Sequence, residues 1–135
     1  VSEAEGTEPN DRGEVTLRLD GTDYVLRPTF EACVAVERQI GRSIIHLAAE
    51  ADAQRLTVED MSIVAAEFIR AWGKETETPS IAGVKAENIA PLIFAEGVIG
   101  VAPRLAIALI GAITGGMKPT SKETDDAGEP KAAIE

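Results

Sequence analysis

The residues able to do chemistry are few, and their spacing argues against a catalytic centre. His46 is the single histidine and Cys33 the single cysteine of 135 residues. A nucleophile or general base needs a partner and a third group to orient it, and the sequence offers neither residue such a group. His46 and Glu50 stand four apart, which puts both on one helical face, but no second His or Cys completes a tetrahedral zinc shell. The plain reading is a partly exposed histidine beside an i,i+4 carboxylate. Cys33 falls within an apolar arc and reads as a small buried hydrophobe. Glu59, Asp60 and Glu67 lie on the polar side of one helix, where acids near the start favour the macrodipole, so they read as a solvated face rather than an acid/base pair. The glycines at 97–100 and 115–116 carry no phosphate-loop frame, since GGMKPTS lacks GxxxxGK[ST]. No catalytic residue, cofactor site or metal ligand is expected, and the chain is not expected to be an enzyme.

Composition narrows the partners. The formal charge is −10, and residues 13–116 hold fourteen acidic against nine basic side chains. An acidic surface repels phosphate backbones and anionic lipid, so neither nucleic acid nor a membrane surface is an expected partner, and proteins are. One cysteine allows no internal disulfide, which favours the cytoplasm. The acidic start VSEAEGTEPNDR has no secretory pattern. Residues 97–117 carry one charge, Arg104, over 21 positions, yet the five glycines, Pro103 and an arginine costing roughly 2.5–3.5 kcal/mol in a bilayer centre make a buried terminal helix the better reading.

The elements that must position any site are legible from periodicity. Residues 1–12 and 117–135 are polar and proline-bearing and read as disordered tails around one domain at 13–116. In EVTLRL-DG-TDYVLR, Val15, Leu17 and Leu19 alternate with polar residues, Asp20-Gly21 supplies a type I′ turn, and Tyr24 and Leu26 return on the same face. A lone hairpin is marginal in water, so it must dock on helices. Thr29 after Pro28 caps a first helix with Phe30, Cys33, Val34 and Ile40 in one apolar arc, ending at Gly41. A second helix follows Ser43, with Ile44, Leu47, Ala48 and Ala51 inward. The third runs from the Thr57 cap through Val58, Met61, Val64, Ala65, Phe68, Ile69 and Trp72 to Gly73. Residues 74–85 read as a loop, 86–97 as a helix that tolerates Pro91 only in its first turn, and 102–114 as a terminal helix opening at Ala102-Pro103. The fold class is α+β, mostly α: an N-terminal β-hairpin packed on a bundle of about five helices.

The run GEVTLRLDGTDYVLRPTFEACVAVERQIG, then LTVEDMSIVAAEFIRAWG and a last helix ending AITGG, resembles the tail assembly chaperones of gene transfer agents and lambdoid phages, small tail proteins encoded next to the tape measure protein, over roughly residues 12–116. The resemblance implies a protein of the bacterial cytoplasm that binds the tape measure protein and tail tube subunits during assembly and is absent from the mature particle. The alternative it leaves open is a structural tail component, a tube or connector protein. A tube subunit is expected to need a larger sheet than one hairpin.

The terminal helix is apolar on more than one face, and such a helix is either enclosed by its domain or covered by a partner, including a second copy. Leu105, Leu109 and Ile113 recur at i, i+4 and i+8 and form the expected partner stripe, with Ile107 and Ile110 left to the core. Trp72, which reads first as core, can offer one edge to the same partner. Arg18, Arg27, Arg38 and Arg42 read either as scattered surface charges or as a patch for an acidic partner.

Overall fold

The computed structural model describes residues 13–115, and the disorder expected for 1–12 and 117–135 lies outside them. Two strands, β1 (Val15–Leu19) and β2 (Thr22–Leu26), precede six helices: α1 (Phe30–Ile40), α2 (Ile44–Asp52), α3 (Val58–Glu75), α4 (Pro79–Ala82), α5 (Ala86–Glu96) and α6 (Val98–Ile113). The α+β, mostly α class read from the sequence is the observed one. The strands pair antiparallel, Leu17 opposite Tyr24 and Leu19 opposite Thr22. Asp20 and Gly21 take positive φ values of 51° and 79°, as a type I′ turn requires. Val15, Leu17, Leu19 and Leu26 are buried and Tyr24 is half-buried against them, so the inner face of β1 and the end of β2 belong to the core.

The long helix α3 is the axis of that core. Its Thr57 hydroxyl accepts from the Asp60 amide, closing the N-terminus as the sequence predicts. Met61, Val64, Ala65, Phe68 and Ile69 are fully buried. Helices α1, α4, α5 and α6 and strand β2 all pack on it, while α6 makes its most extensive contact with α2. Thr29 and Ser43 cap α1 and α2 in the same way as Thr57 caps α3. The hairpin is tied on by polar contacts as well: the Arg27 amide donates to the Phe68 carbonyl at 3.0 Å, and Arg104 donates to the Thr16 carbonyl at 2.9 Å.

Four expectations need correction. The helix count is six among the described residues, because residues 74–85 contain the single turn α4, opened by Pro79 at its first position. Gly73 does not stop α3. A Cβ there would stand 2.3 Å from the Ala82 nitrogen and 2.6 Å from the Ile81 carbonyl carbon, so the glycine exists to let α4 lie against α3, which continues to Glu75. Pro91 and Pro103 are the sixth residues of their helices, and α6 therefore starts at Val98, four positions before the expected opening. Both prolines are exposed, so the carbonyls they leave without an amide partner can be solvated. Phe30 is 78% exposed instead of buried, since α1 packs chiefly on α3 and turns Ala32 and Val36 inward.

These contacts make the hairpin integral to the domain. Leu17→Ala should lower unfolding free energy by about 2–5 kcal/mol in denaturant titration, the range for truncating a fully buried leucine. Gly73→Ala, which improves helix propensity, should nonetheless destabilise by about 1–3 kcal/mol, because backbone atoms of α4 occupy the space the methyl needs. An unchanged midpoint for either protein would contradict the packing described here.

Candidate interaction surface

The terminal helix is half core and half surface, with the two halves exchanged relative to the sequence expectation. Leu105 and Leu109 are fully buried with Val101, Ala102, Ala106 and Ala108, so neither can meet a partner. Ile113 alone of the expected stripe reaches solvent, at 39% exposure. Trp72 is half-buried and packed against the core. The reason is local to α6: a helix apolar around most of its circumference is oriented by its neighbours, and α2 and β1 take the side that carries Leu105 and Leu109.

The opposite side is an apolar arc, with Arg18, Glu96 and Arg104 beside it where a cleft passes Gly100 and Pro103. Ile99 (79% exposed), Pro103, the half-buried Ile107 and Ile110 (37%) follow at spacings of four, four and three residues, which places them on one face. Gly100 and Gly111 flank that face three helical turns apart. Neither glycine has a positive φ, and a Cβ built on either meets nothing within 4 Å. A glycine inside a helix costs roughly 0.8–1 kcal/mol against alanine. Nothing in the domain itself requires these two. Treating Pro103 as the first residue of the helix hid Ile99 and Gly100 from the periodicity, and the two Ile-Gly steps at 99–100 and 110–111 were the signal that could have revealed the arc.

Two clefts lie elsewhere. One, of about 630 Å³, runs between the start of α1 and the end of α6 and is lined by Phe30, Cys33, Val34, Ile44 and Ala112. The other, of about 400 Å³, is lined by Arg27, Arg70 and Lys74 and also by Glu31, Glu67 and Glu75, so its charges balance. Three of the four N-terminal arginines are spent within the chain: Arg18 pairs with Asp23, Arg27 with Glu14 at 2.6 Å and Glu75 at 3.4 Å, and Arg42 with Asp60. His46 Nε2 stands 3.5 Å from Glu50 on an exposed part of α2. Glu67 accepts from Gln39, and Asp60 faces Arg42, so the carboxylates of α3 do not converge on one another. Among the described residues no group of three or more His, Cys, Asp or Glu side chains could share a metal ion, and no helix is long and apolar enough to cross a membrane.

Comparison with known proteins places the chain in a family. The family described as "phage tail tube protein, GTA-gp10" matches residues 12–116, which takes in every element above. No curated protein and no solved structure matches the chain. The lone thiol is held in its unreactive form: burial, and second the charge of Glu37, push the Cys33 pKa from 9.0 up to about 11. A raised thiol pKa stabilises the fold below pH 9, and that contribution disappears as pH rises towards 11. Alkylation of Cys33 by iodoacetamide at pH 8 should therefore be at least about tenfold slower in the native protein than in denaturant. Equal rates would mean that the thiol is neither buried nor protonated.

Proposed function

The chain belongs to the phage tail tube protein family of the GTA-gp10 type, and from that premise we propose that it is a non-catalytic structural component of a phage or gene-transfer-agent tail, a subunit or close partner of the tail tube. The sequence resemblance ranks an assembly chaperone first and a tube component second, and the family match reverses that order. The match over residues 12–116 carries the proposal, because it spans the hairpin, the α3 core and the α6 arc together. The molecule would work by contact alone. Its partners would be other tail proteins, met in the cytoplasm of the bacterial host where tails are built.

One observation favours the chaperone as a second reading: the sheet is a single hairpin of two five-residue strands, small for a subunit of a β-built ring. In that role the chain would hold the tape measure protein and tube subunits during assembly and leave before completion. The two roles part at the finished particle. Mass spectrometry of purified tails should find the protein in a fixed ratio to the tube if it is structural; its absence from tails, with tape measure protein bound to it in lysates, selects the chaperone. Deletion of its gene should abolish tails in either case, and normal tails from the deletion strain would refute both.

A further inference from the structure

We propose that α6 is a self-association helix, pairing antiparallel with α6 of a second copy of this chain about a two-fold axis near Leu105. The inference goes beyond the tail assignment and does not rest on it. Its first support is the pair of glycines. Gly100 and Gly111 lie on the solvent side of α6, in ordinary helical conformation, with open space where a Cβ would be, so the isolated domain gains nothing from them. Glycines at such places let another backbone come close. Gly73 is the contrast within the same molecule, because there the approaching backbone belongs to α4.

The second support is self-complementarity. An antiparallel pair of identical helices sets residue i of one copy against residue j of the other at a constant sum of positions. With the axis at 105, Ile99 meets Gly111 of the other copy, Ile110 meets Gly100, and Ile107 meets Pro103. Each isoleucine then faces a small or flat residue, and each does so twice, as a two-fold interface demands. A parallel pairing would set isoleucine against isoleucine and leave the glycines facing each other. A two-fold contact is therefore the arrangement these residues fit.

Charge selects the same face. The chain carries −10, so like charge opposes the approach of two copies over most of the surface. The arc from Ile99 to Ile110 contains no acidic side chain, and Arg104 at its edge is turned to the Thr16 carbonyl. One helix face is small against the roughly 800 Å² per partner of a standard interface, so the association is weak, with a dissociation constant between about 10 μM and 1 mM.

Sedimentation velocity of the full chain over that concentration range tests the proposal. The parent protein should shift from monomer to dimer, and the Gly100→Leu, Gly111→Leu double variant should remain monomeric to at least about tenfold higher concentration while melting no earlier than the parent. Should the double variant fail to fold, Ile99→Asp serves instead: the side chain is in water, and an acid in the first turn of α6 suits the helix dipole, yet it would place a charge in the pair. A parent protein that is monomeric throughout, a higher oligomer in place of a dimer, or a folded variant that still dimerises like the parent would each overturn it. None of these outcomes touches the tail role, which is read from the content of particles.

Discussion

The enclosure of α3 is the constraint on which the rest of the domain depends. The domain builds its core around α3, with Met61, Val64, Ala65, Phe68 and Ile69 out of water on several sides while Glu59, Lys74 and Glu75 stay exposed. Five other elements each cover a part of it, so each of them spends one face on α3 or on one another. Enclosure also dictates the small residues. Ser62, Ala65, Ala66 and Gly73 are buried where neighbours come close, and Ser62 satisfies its hydroxyl by donating to the Glu59 carbonyl at 2.7 Å. A larger side chain at Gly73 would push α4 away and open the end of the core.

Apolar burial is non-directional and would let the hairpin slide across α3. Polar contacts at Arg27 prevent that. Its amide bonds to Phe68 in the middle of α3, and its nearly buried guanidinium is held between Glu14 at the start of β1 and Glu75 at the end of α3. A buried cation is costly unless its partners are in place, so the pairing penalises any other position of the hairpin more than it stabilises this one. Asp20 adds a second tie, donating its amide to Glu96 of α5. The short sheet therefore holds its place through its ends, while Val15, Leu17 and Leu19 supply the burial.

What could be read from the sequence was whatever is settled within a few residues. The hairpin register follows from period-two alternation around Asp20-Gly21, and the starts of α1, α2 and α3 follow from Thr29, Ser43 and Thr57, whose hydroxyls do accept the amides expected of them. The single turn α4 and the prolines inside α5 and α6 escaped local rules, and the remaining errors involve a choice made by distant chain. Gly73 looks like a stop signal because sequence shows a missing side chain but not the backbone of α4 beside it. Phe30 fits an apolar arc whose other members turn inward, yet no element covers it. In α6 apolar residues surround the helix, so periodicity has no phase to report, and its neighbours, α2 first among them, decide that Leu105 is inside while Ile110 reaches solvent. The candidate surface was legible as a helix and illegible as a face.

The same packing limits how this chain can join a larger assembly. Exposed strand edges grow sheets by pairing with a neighbour, and a two-stranded sheet has both edges open in principle. Here Arg104 of α6 occupies the Thr16 carbonyl, Glu96 of α5 occupies the Asp20 amide, and the Phe68 carbonyl takes the Arg27 amide just beyond β2. Side chains and helices thus block the pairing groups that strand addition would use at these three points. The helices offer the alternative, and α6 presents an apolar face running from Ile99 to Ile110. Contacts made there depend on burial rather than on ion pairs, so they should tolerate salt that would screen an electrostatic contact on the acidic remainder of the surface.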